Sequence, residues 1–425
     1  MLASALPCRL PRSLGIDIDE HHGSRMPRSS DRSIPRDGED YAVAVVGAGP
    51  AGSVAAAALA RAGLRVALID RGPRPSTDLG ECLPGSVRPL LERAGPWPEF
   101  RQSGHLPSFG TRSAWGSPAL TVRDFLFSPF GCEWHIDRVR FDRMLVGAAV
   151  ASGARHLAPL ALRAVERDLG RSWRLTLSEG GGATRIRASF VIDATGRSSA
   201  FARRVGVRRL CADRLVAVAG QPVVTAESPA LESVLLVEAV PDGWWYSAPL
   251  PGGTLVAVYV TDAGAIARRQ LNSPDGWWTK LGASVHTRRR VERHGQRSNG
   301  SPTTVPADTS RLERVAGPGW LAAGDAAFAC DPLCSRGLMA AVAGGFEAAR
   351  TASAWLAGDE DAVDVYAQGI ARHYAAYLLN RKSYYALERR WPDAPFWRRR
   401  RSNVSLHRRR QLIAEAMPEA APSIR

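Results

Sequence analysis

The stretch YAVAVVGAGPAGSVAAAALARAGLRVALIDRG, residues 41–72, contains the signals that decide the fold of this chain. The apolar run at 41–46 is typical of a buried parallel strand, and the alanine-rich run at 53–62 predicts a helix. Residues 64–69 predict a second strand that leads directly into Asp70. A strand, a helix and a second strand in this order predict a βαβ unit, which indicates an α/β protein with a Rossmann-like domain.

The turn between the first strand and the helix carries a glycine pattern that binds the phosphates of dinucleotides. The pattern consists of Gly47, Gly49, Pro50, Ala51 and Gly52. Its first glycine allows a tight turn, its second lets the backbone approach a pyrophosphate, and its third lets the helix pack closely on the strand. We therefore expect the N–H groups at the start of the helix to point at bound phosphates.

Two residues at the end of the second strand are predicted to contact the same cofactor. Asp70 lies 18 residues beyond Gly52, at the position where an acid accepts a hydrogen bond from a ribose hydroxyl. Arg71 follows it and is assigned to the cofactor site as well. The βαβ unit alone does not distinguish NAD from FAD, so that choice depends on the rest of the chain.

The composition narrows the class of protein. The 425 residues suffice for two or three domains, and no apolar run reaches the roughly 18 residues that predict a membrane span. The net charge is +15, and all but two of the 56 basic residues are arginines. Because no nucleic-acid motif accompanies the arginine runs, we expect a solvated surface, with an acidic protein partner as the alternative, and no nucleic acid.

The cysteines and the N-terminal segment carry further information. Six cysteines lie scattered without a Cys-x-x-Cys pair, so we expect free thiols, a cytoplasmic location and no metal site. The sequence assigns no role to Cys82, Cys330 or Cys334.

Residues 1–40 lack the apolar core of a secretory signal and are predicted to be a flexible extension.

Four further motifs follow in a fixed order. They are Gly-Glu-Cys-Leu-Pro at 80–84, Arg-x-x-Phe-Asp at 138–142, Asp-Ala-Thr-Gly-Arg-Ser-Ser at 193–199, and Gly-Asp at 324–325 with Asp-Pro-Leu-Cys-Ser-Arg-Gly at 331–337. With the glycine pattern they resemble the FAD-binding domain of p-hydroxybenzoate-hydroxylase-like flavoproteins, which include aromatic monooxygenases, flavin halogenases and geranylgeranyl reductases. The resemblance covers about residues 41–350 and implies FAD as the cofactor.

The resemblance also implies roles for individual residues. Gly324 and Asp325 bind the ribityl chain of the flavin, Arg138 approaches the pyrophosphate side, and Glu81 belongs to the same site. The residues along the isoalloxazine ring, assigned both to FAD binding and to the catalytic centre, are Pro332, Gly337 and Leu338. A helix that begins after Gly337 directs its N–H groups at the ring edge where a reduced flavin is negative.

The motifs divide the chain into alternating segments. We predict a flexible extension at 1–40, FAD-binding segments at 41–100, 135–206 and 306–355, a substrate-domain excursion at 101–134, a β-sheet substrate domain at 207–305, and a basic helical region at 356–425. The runs at 215–224, 233–240, 244–250 and 254–260 alternate and end in turn residues, which predicts a mainly antiparallel sheet. The expected fold is a Rossmann-like FAD-binding domain with this sheet inserted and a helical C-terminus.

The turn sequences place the chain in the halogenase-like branch, but with two departures. That branch carries a lysine soon after its Gly-Glu turn, whereas residues 82–95 contain none. It also carries a Gly-Trp-x-Trp-x-Ile-Pro stretch, which here begins Gly243-Trp244-Trp245-Tyr246 and has Ala248 at the Ile position. Both departures argue against hypohalous acid and favour direct oxygen transfer from a flavin C4a-hydroperoxide to an electron-rich ring.

Three aromatic residues are predicted to line the substrate pocket, namely Trp244, Trp245 and Tyr246, with ordinary sheet core as the alternative for each. The C-terminal cluster of Trp391, Phe396, Trp397 and residues 398–401 is interpreted as a docking surface for a protein substrate. Its alternative is a set of amphipathic helices that pack on the flavin domain.

A narrower resemblance is to the flavoprotein monooxygenases of tryptophylquinone biogenesis, which serve quinohemoprotein amine dehydrogenase. It implies hydroxylation of a tryptophan ring in a small-subunit precursor, with electrons from NAD(P)H or a flavin reductase. Three alternatives stay open: a hydroxylase of a small or carrier-bound aromatic, a geranylgeranyl-reductase-like FAD reductase, and a non-catalytic flavin-binding maturation factor.

Overall fold

The computed structural model describes residues 35–72, 79–125, 127–168, 171–179, 182–225 and 228–401. Most of the predicted N-terminal extension and the arginines at 408–410 therefore lie outside the described residues. The first strand begins at Glu39, so the last two residues of the predicted extension belong to the fold. Within the described ranges, no helix combines the length and the apolar character that crossing a membrane requires.

The elements follow one another in this order along the chain. The helices are α1 (Pro50–Arg61), α2 (Arg88–Ala94), α3 (Trp97–Gln102), α4 (Arg138–Ala151), α5 (Ala200–Arg204), α6 (Gly264–Arg269), α7 (Pro274–Gly282), α8 (His286–His294), α9 (Gly337–Leu356), α10 (Ala362–Leu387) and α11 (Pro395–Arg401). Short 3₁₀ turns lie at Gly85–Val87, Gly196–Ser198, Gly324–Ala326 and Pro332–Cys334.

The first half of the chain supplies the strands β1 (Glu39–Val46), β2 (Val66–Ile69), β3 (Cys82–Leu83), β4 (Leu106–Ser108), β5 (Gly110–Ala114), β6 (Thr121–Asp124), β7 (Glu133–His135), β8 (Arg155–Leu157), β9 (Ala161–Arg167), β10 (Trp173–Glu179) and β11 (Gly182–Asp193). The second half supplies β12 (Arg209–Cys211), β13 (Leu215–Gly220), β14 (Val234–Val240), β15 (Gly243–Leu250), β16 (Thr254–Asp262), β17 (Thr303–Pro306), β18 (Ser310–Leu312), β19 (Ala316–Gly317), β20 (Trp320–Ala322) and β21 (Phe328–Ala329).

The first sheet is the Rossmann-like layer that the sequence predicts. Its order is β19-β20-β11-β1-β2-β8, and β1 runs parallel to both β2 and β11. Val46 pairs with both Ile69 and Asp193, so the strand ends align at one edge of the sheet. The glycine turn, Asp70 and the turn after β20 gather at this edge, where open α/β sheets bind ligands.

Two helices lie close together over this edge because small residues line their contact. A Cβ atom on Gly345 of α9 would lie 2.5 Å from the carbonyl oxygen of Ala51 on α1. Any side chain at Gly345 would therefore push the two helices apart. The alanine-rich sequences of both helices serve this close packing, since their buried faces share one core cluster that includes Ala55, Ala56, Ala348 and Ala352.

The second sheet has the order β17-β13-β16-β15-β14-β5-β6 and is antiparallel except where β14 meets β5. Strands β5 and β6 come from the 101–134 segment, so this excursion joins the sheet of the 207–305 segment. The predicted strands of the 207–305 segment form this sheet. The segment also contains helices α6, α7 and α8 within 264–294, which were not predicted, and α7 and α8 cover one face of the sheet.

The C-terminal helices cover the other face of the second sheet. Phe396 and Trp397 of α11 are buried, and the Trp397 Nε1 donates a hydrogen bond to the Val240 carbonyl at 2.9 Å. The Arg400 Nη2 donates to Asp262 on β16 at 2.7 Å, with only 3% of the arginine side chain exposed. Phe396, Trp397 and Arg400 therefore pack on the second sheet, as the packing alternative predicts, and are not available for docking. Arg398 and Arg399 are exposed, so docking through these two arginines stays a prediction.

Candidate FAD site

The glycine turn has the geometry that a pyrophosphate needs. A Cβ on Gly47, whose φ is +108°, would lie 2.3 Å from the Ala194 carbonyl oxygen, and a Cβ on Gly52 would lie 1.9 Å from the Gly47 oxygen. Neither position therefore accepts a side chain. At Gly49, in contrast, no described atom lies within 4 Å of a Cβ, so the backbone faces open space. This combination leaves room for a ligand directly at the N-terminus of α1.

The first turn of α1 presents N–H groups to that space. Ser53 donates the first backbone bond of the helix, to the Gly49 carbonyl at 2.9 Å. The N–H groups of Ala51 and Gly52 come before it and therefore have no acceptor within the helix. Together with the helix dipole they fit the negative charge of a pyrophosphate.

Two acids lie at the carboxyl ends of β2 and β11, the strands on either side of β1, and they have different surroundings. Asp70 follows β2 and is half-buried beside the glycine turn, with its N–H bound to the Leu157 carbonyl at 3.0 Å. Asp193, at the end of β11, is fully buried and accepts from the N–H groups of Thr195, Phe201 and Ala202 at 2.9–3.1 Å. Asp70 is thus placed to meet a ribose, whereas Asp193 holds the turn beneath the site. Arg71 is exposed beside Asp70.

Glu81 and Arg138 form an ion pair at the start of α4. The Arg138 Nη1 lies 2.6 Å from Glu81, and its Nε lies 2.8 Å from Asp142 one helical turn later. Asp137 caps the helix by accepting a hydrogen bond from the Arg140 N–H at 2.9 Å, which fixes the start of α4 at Arg138. Burial raises the pKa of Glu81, while Arg138 opposes that shift. The two residues predicted for the cofactor site therefore meet, and each bears on the placement of the other.

Asp325 lies on the 3₁₀ turn Gly324–Ala326 that follows β20. Its side chain is 45% exposed and lies 3.8 Å from the Arg197 Nε, while the Arg209 Nη2 binds its backbone oxygen at 2.8 Å. Desolvation by burial raises the pKa of Asp325, and Arg197 and Arg209 oppose that shift. Gly324 has a φ of +60°, and its Cβ would lie 3.0 Å from that of Ala51. The Asp325 carboxylate is thus held by backbone geometry where it can accept hydroxyl hydrogen bonds.

The turn at 332–338 ends at the N-terminus of a long helix. Ser335 adopts the left-handed conformation with a φ of +47°, and α9 begins at Gly337. The Ala340 N–H donates to the Arg336 carbonyl at 2.9 Å, so the N–H groups of Gly337 and Leu338 precede the helical bonds. No described atom lies within 4 Å of a Cβ on Gly337. The space and the positive helix end fit a flat ring with a negative edge.

A buried carboxylate, Asp331, anchors this turn. Its Oδ2 accepts from the Tyr385 hydroxyl at 2.7 Å and from the Arg381 Nε at 3.0 Å, and its Oδ1 accepts from the Leu333 N–H at 3.0 Å. The Asp331 N–H donates to the Tyr377 hydroxyl at 2.7 Å. Helix α10 therefore holds the turn through three polar side chains. Sequence reasoning placed none of them in the site, because only their pairing with Asp331 reveals the role.

The three aromatic residues predicted to line the substrate pocket lie on different faces of the second sheet. Trp244 is buried, and its Nε1 lies 3.2 Å from the Tyr385 hydroxyl, so it supports the anchored turn from below. Trp245 points to the opposite face, between Tyr259 and Trp277 at ring distances of 4.9 and 5.4 Å. Its ring is enclosed in the core under α7, which corrects its assignment to a substrate pocket.

Tyr246 is the member of the three that faces the cofactor side. Its Cε2 lies 4.0 Å from the position that a Cβ would take on Gly80. Burial raises the pKa of its hydroxyl, and the nearby Glu81 adds to that shift. The hydroxyl is therefore neutral and can donate or accept a hydrogen bond beside the Gly80–Glu81 turn.

A separate cavity of about 400 Å³ lies at the far end of β15. It is lined by residues 104–106, 228–231 and 249–253 together with Val224, and it contains none of the predicted cofactor or pocket residues. The glycine turn and the 331–338 turn do not line this cavity. We therefore assign the FAD site from the residues of those turns and not from the cavity.

The FAD binding domain family matches residues 40–379, and the chain belongs to this family. The putative FAD-dependent oxidoreductase LodB of Marinomonas mediterranea is 29% identical over 378 residues, which are 87% of this chain and 99% of that protein. The myxobacterial halogenase CndH has a similar structure, with a TM-score of 0.77 and 20% identity over 89% of each chain. The peptidyl tryptophan dihydroxylase QhpG has a TM-score of 0.68 and 22% identity, over 85% of this chain and 79% of its own.

These findings confirm three predictions. The protein is an FAD-dependent oxidoreductase, its cofactor is FAD, and its fold is the α/β FAD-binding fold with mixed sheets and helices. The residues at the glycine turn, at Asp325 and at the N-terminus of α9 fit that cofactor through open space, hydrogen-bond acceptors and helix-end N–H groups.

Proposed function

We propose that this protein is an FAD-dependent monooxygenase that hydroxylates a tryptophan side chain in a protein precursor during maturation of a quinone cofactor. Two similarities support this proposal, the first for the class of reaction and the second for the class of substrate. LodB, a relative across nearly its whole length, is named a putative FAD-dependent oxidoreductase. QhpG shares the fold and is described as a peptidyl tryptophan dihydroxylase essential for tryptophylquinone cofactor biogenesis.

The observation that carries the reaction type is the absence of lysine from the segment that follows Glu81. Residues 82–95 form β3, a 3₁₀ turn and α2, without a lysine. The two lysines of the chain lie in other elements. Lys280, on α7, is 9% exposed and paired with Asp242, and Lys382 lies on α10. Because the halogenase-like branch carries its lysine directly after the Gly-Glu turn, this chain favours oxygen transfer over halogenation.

The residues of this chain bind the flavin, orient it and exclude water from it. When bound and reduced, the flavin supplies the activated oxygen. The α1 N-terminus and the glycine turn would hold the pyrophosphate, Asp325 would accept from the ribityl hydroxyls, and the α9 N-terminus would stabilise negative charge at the ring. Tyr246, buried beside the Gly80–Glu81 turn, would help to keep water away from the bound cofactor.

The substrate class can be tested with peptides. FAD-loaded protein is supplied with NAD(P)H alone or with an added flavin reductase, and oxygen uptake and peptide mass are recorded. We expect a peptide with one tryptophan to gain oxygen atoms on that residue, while the same peptide with phenylalanine does not. Modification of free tryptophan or of a small phenol in preference to the peptide would instead support the alternative of a small-molecule hydroxylase.

A further inference from the structure

Strand β6 (Thr121–Asp124) is the last strand of the second sheet, and one of its sides has no strand partner among the described residues. On its other side it pairs with β5 in an antiparallel register in which Val122 faces Arg112. The Phe125 N–H donates to the Phe109 carbonyl at 2.9 Å, which continues the same register. The sheet therefore ends in an edge, the β6 edge, of the kind that accepts a further strand.

The register shows which main-chain groups of β6 face away from β5. In an antiparallel pair, residues that bond to the partner strand alternate with residues whose N–H and C=O groups point the other way. Because Phe125 bonds to Phe109, Arg123 and Thr121 also bond to β5, and the N–H and C=O groups of Val122 lie on the outer side. The Val122 side chain is 64% exposed. The β6 edge thus offers a main-chain donor and acceptor at Val122.

The surroundings of the β6 edge favour contact with another chain. Residues 120–125 contain neither lysine nor proline, which often protect an edge strand against strand addition. Arg123 lies over the Phe125 ring at 5.4 Å, so it stands on a face of the sheet. Exposed apolar side chains, which mark interaction sites when they lie together, precede and follow β6 in the chain. They are Phe109, Leu120, Phe127 and Phe130.

The loop after β6 leads to the candidate FAD site. A Cβ on Gly85 would lie 2.7 Å from the Cys132 carbonyl oxygen, so the end of this loop packs closely against the segment that follows Glu81. Strand β7 comes next and pairs with β3, and the Ile136 N–H donates to the Glu81 carbonyl at 3.1 Å. A chain bound at the β6 edge would therefore lie on an element that is joined to the cofactor site by one loop.

We propose that the β6 edge binds an extended segment of the protein substrate as an additional strand, next to the tryptophan that is modified. The identity of the partner rests on the proposed function. An extended peptide fits this edge because its carbonyl accepts from the Val122 N–H and its N–H donates to the Val122 carbonyl. The net charge of +15 favours a neutral or acidic segment and disfavours a second copy of this chain, which carries the same charge.

The pairing is tested by binding to the oxidised protein, so that the result does not depend on turnover. The full-length FAD-loaded protein is titrated into a fluorescein-labelled peptide of threonine, valine and glutamate with one central tryptophan, and fluorescence anisotropy is recorded. The peptide is then N-methylated at one backbone position after another. We expect binding to weaken about tenfold at every second position of the paired segment, since alternate N–H groups face β6. Absence of binding, or an effect without this alternation, would overturn the proposal.

Two variants at one position isolate the main chain of β6. Val122→Pro removes the outward N–H but keeps the bonds to β5, so the dissociation constant of the peptide should rise about tenfold. Val122→Ala keeps the N–H and is the control, which should bind nearly as well as the wild type. FAD absorbance and thermal unfolding report whether each variant is folded, and if Val122→Pro is not, the methylation series on the wild type decides. An unchanged dissociation constant in folded Val122→Pro would overturn the proposal, as would a wild-type dimer that this variant converts to a monomer in sedimentation.

The outcomes separate this inference from the proposed function. Alternating effects of N-methylation without oxygen insertion into the tryptophan, after reduction and exposure to air, would keep the β6 edge as a peptide site and contradict the monooxygenase. Oxygen on the tryptophan with unchanged peptide binding in Val122→Pro would contradict the β6 site and leave the monooxygenase standing.

Discussion

The two ends of the FAD site are built by different means. The pyrophosphate end is made of backbone and small residues, because Gly47 and Gly52 leave no room for a side chain. The ring end is a turn whose buried carboxylate, Asp331, is held by Arg381 and Tyr385, which lie 50 and 54 residues further along the chain. The first end depends on space and the second on polar side chains. We infer that FAD affinity resides mainly in the first end and ring placement in the second.

The strongest test of this comparison is a single methyl group at the pyrophosphate end. In Gly52→Ala the new Cβ would lie 1.9 Å from the Gly47 oxygen, so strand and helix must separate. We expect purified Gly52→Ala to contain almost no FAD, as measured by absorbance after heat release. Gly147→Ala on α4, where no described atom lies within 4 Å of a Cβ, is the control and should retain FAD. Full FAD content in Gly52→Ala would contradict the account of this end.

The support of the ring end by the C-terminal helices can be tested at Arg400. Arg400→Glu places two carboxylates together at Asp262 in a nearly closed site, which costs about 3–5 kcal/mol of unfolding free energy. Arg398→Glu on the same helix is exposed and should change the stability by less than about 0.5 kcal/mol. Urea unfolding followed by fluorescence distinguishes the two. Equal stability of both variants would contradict the support that the Arg400–Asp262 pair is inferred to give.

Removal of the Asp325 carboxylate, which lies between the two ends, should have an intermediate effect on FAD affinity. Asp325→Ala removes the acceptor for the ribityl hydroxyls, and a hydrogen bond to a charged group contributes about 1.5–3 kcal/mol. Because the side chain is 45% exposed, we expect the lower part of that range, or roughly a tenfold weaker affinity for FAD. Titration of apoprotein with FAD measures it. Asp325→Asn keeps an acceptor and should lose less, so identical losses in both variants would count against the assigned role.

The smallest predicted effect on FAD is at the anchor itself. Tyr385→Phe removes the 2.7 Å hydrogen bond to the Asp331 carboxylate and the acceptor of the Trp244 Nε1 but leaves the bond from Arg381, so we expect a loss of about 1.5–3 kcal/mol of stability. Tyr366→Phe, on the same helix, removes a 2.8 Å bond to the neutral Ala322 carbonyl and should cost about 1 kcal/mol. Only Tyr385→Phe should shift the flavin absorption bands and reduction potential. A shift of the same size in both variants would show that the anchor does not place the ring.

The same contrast explains what the sequence could predict. Gly47, Gly52 and Asp325 belong to short motifs, because backbone geometry at strand ends is encoded by neighbouring residues. The hydrogen bond between Asp331 and Tyr385 was not predictable, since it joins residues that are distant in the chain. The separation of Trp244 from Trp245 was predictable from strand geometry alone, because successive side chains on a strand point to opposite faces.

We propose that this flavoprotein inserts oxygen into a peptidyl tryptophan and does not halogenate it. A single turnover decides this directly: the FAD-loaded protein is reduced without oxygen, mixed with a tryptophan peptide and bromide, and exposed to ¹⁸O₂. The account predicts a tryptophan residue that carries ¹⁸O and no bromine in the mass spectrum. A brominated tryptophan, or a hydroxylated one whose oxygen comes from water, would contradict it.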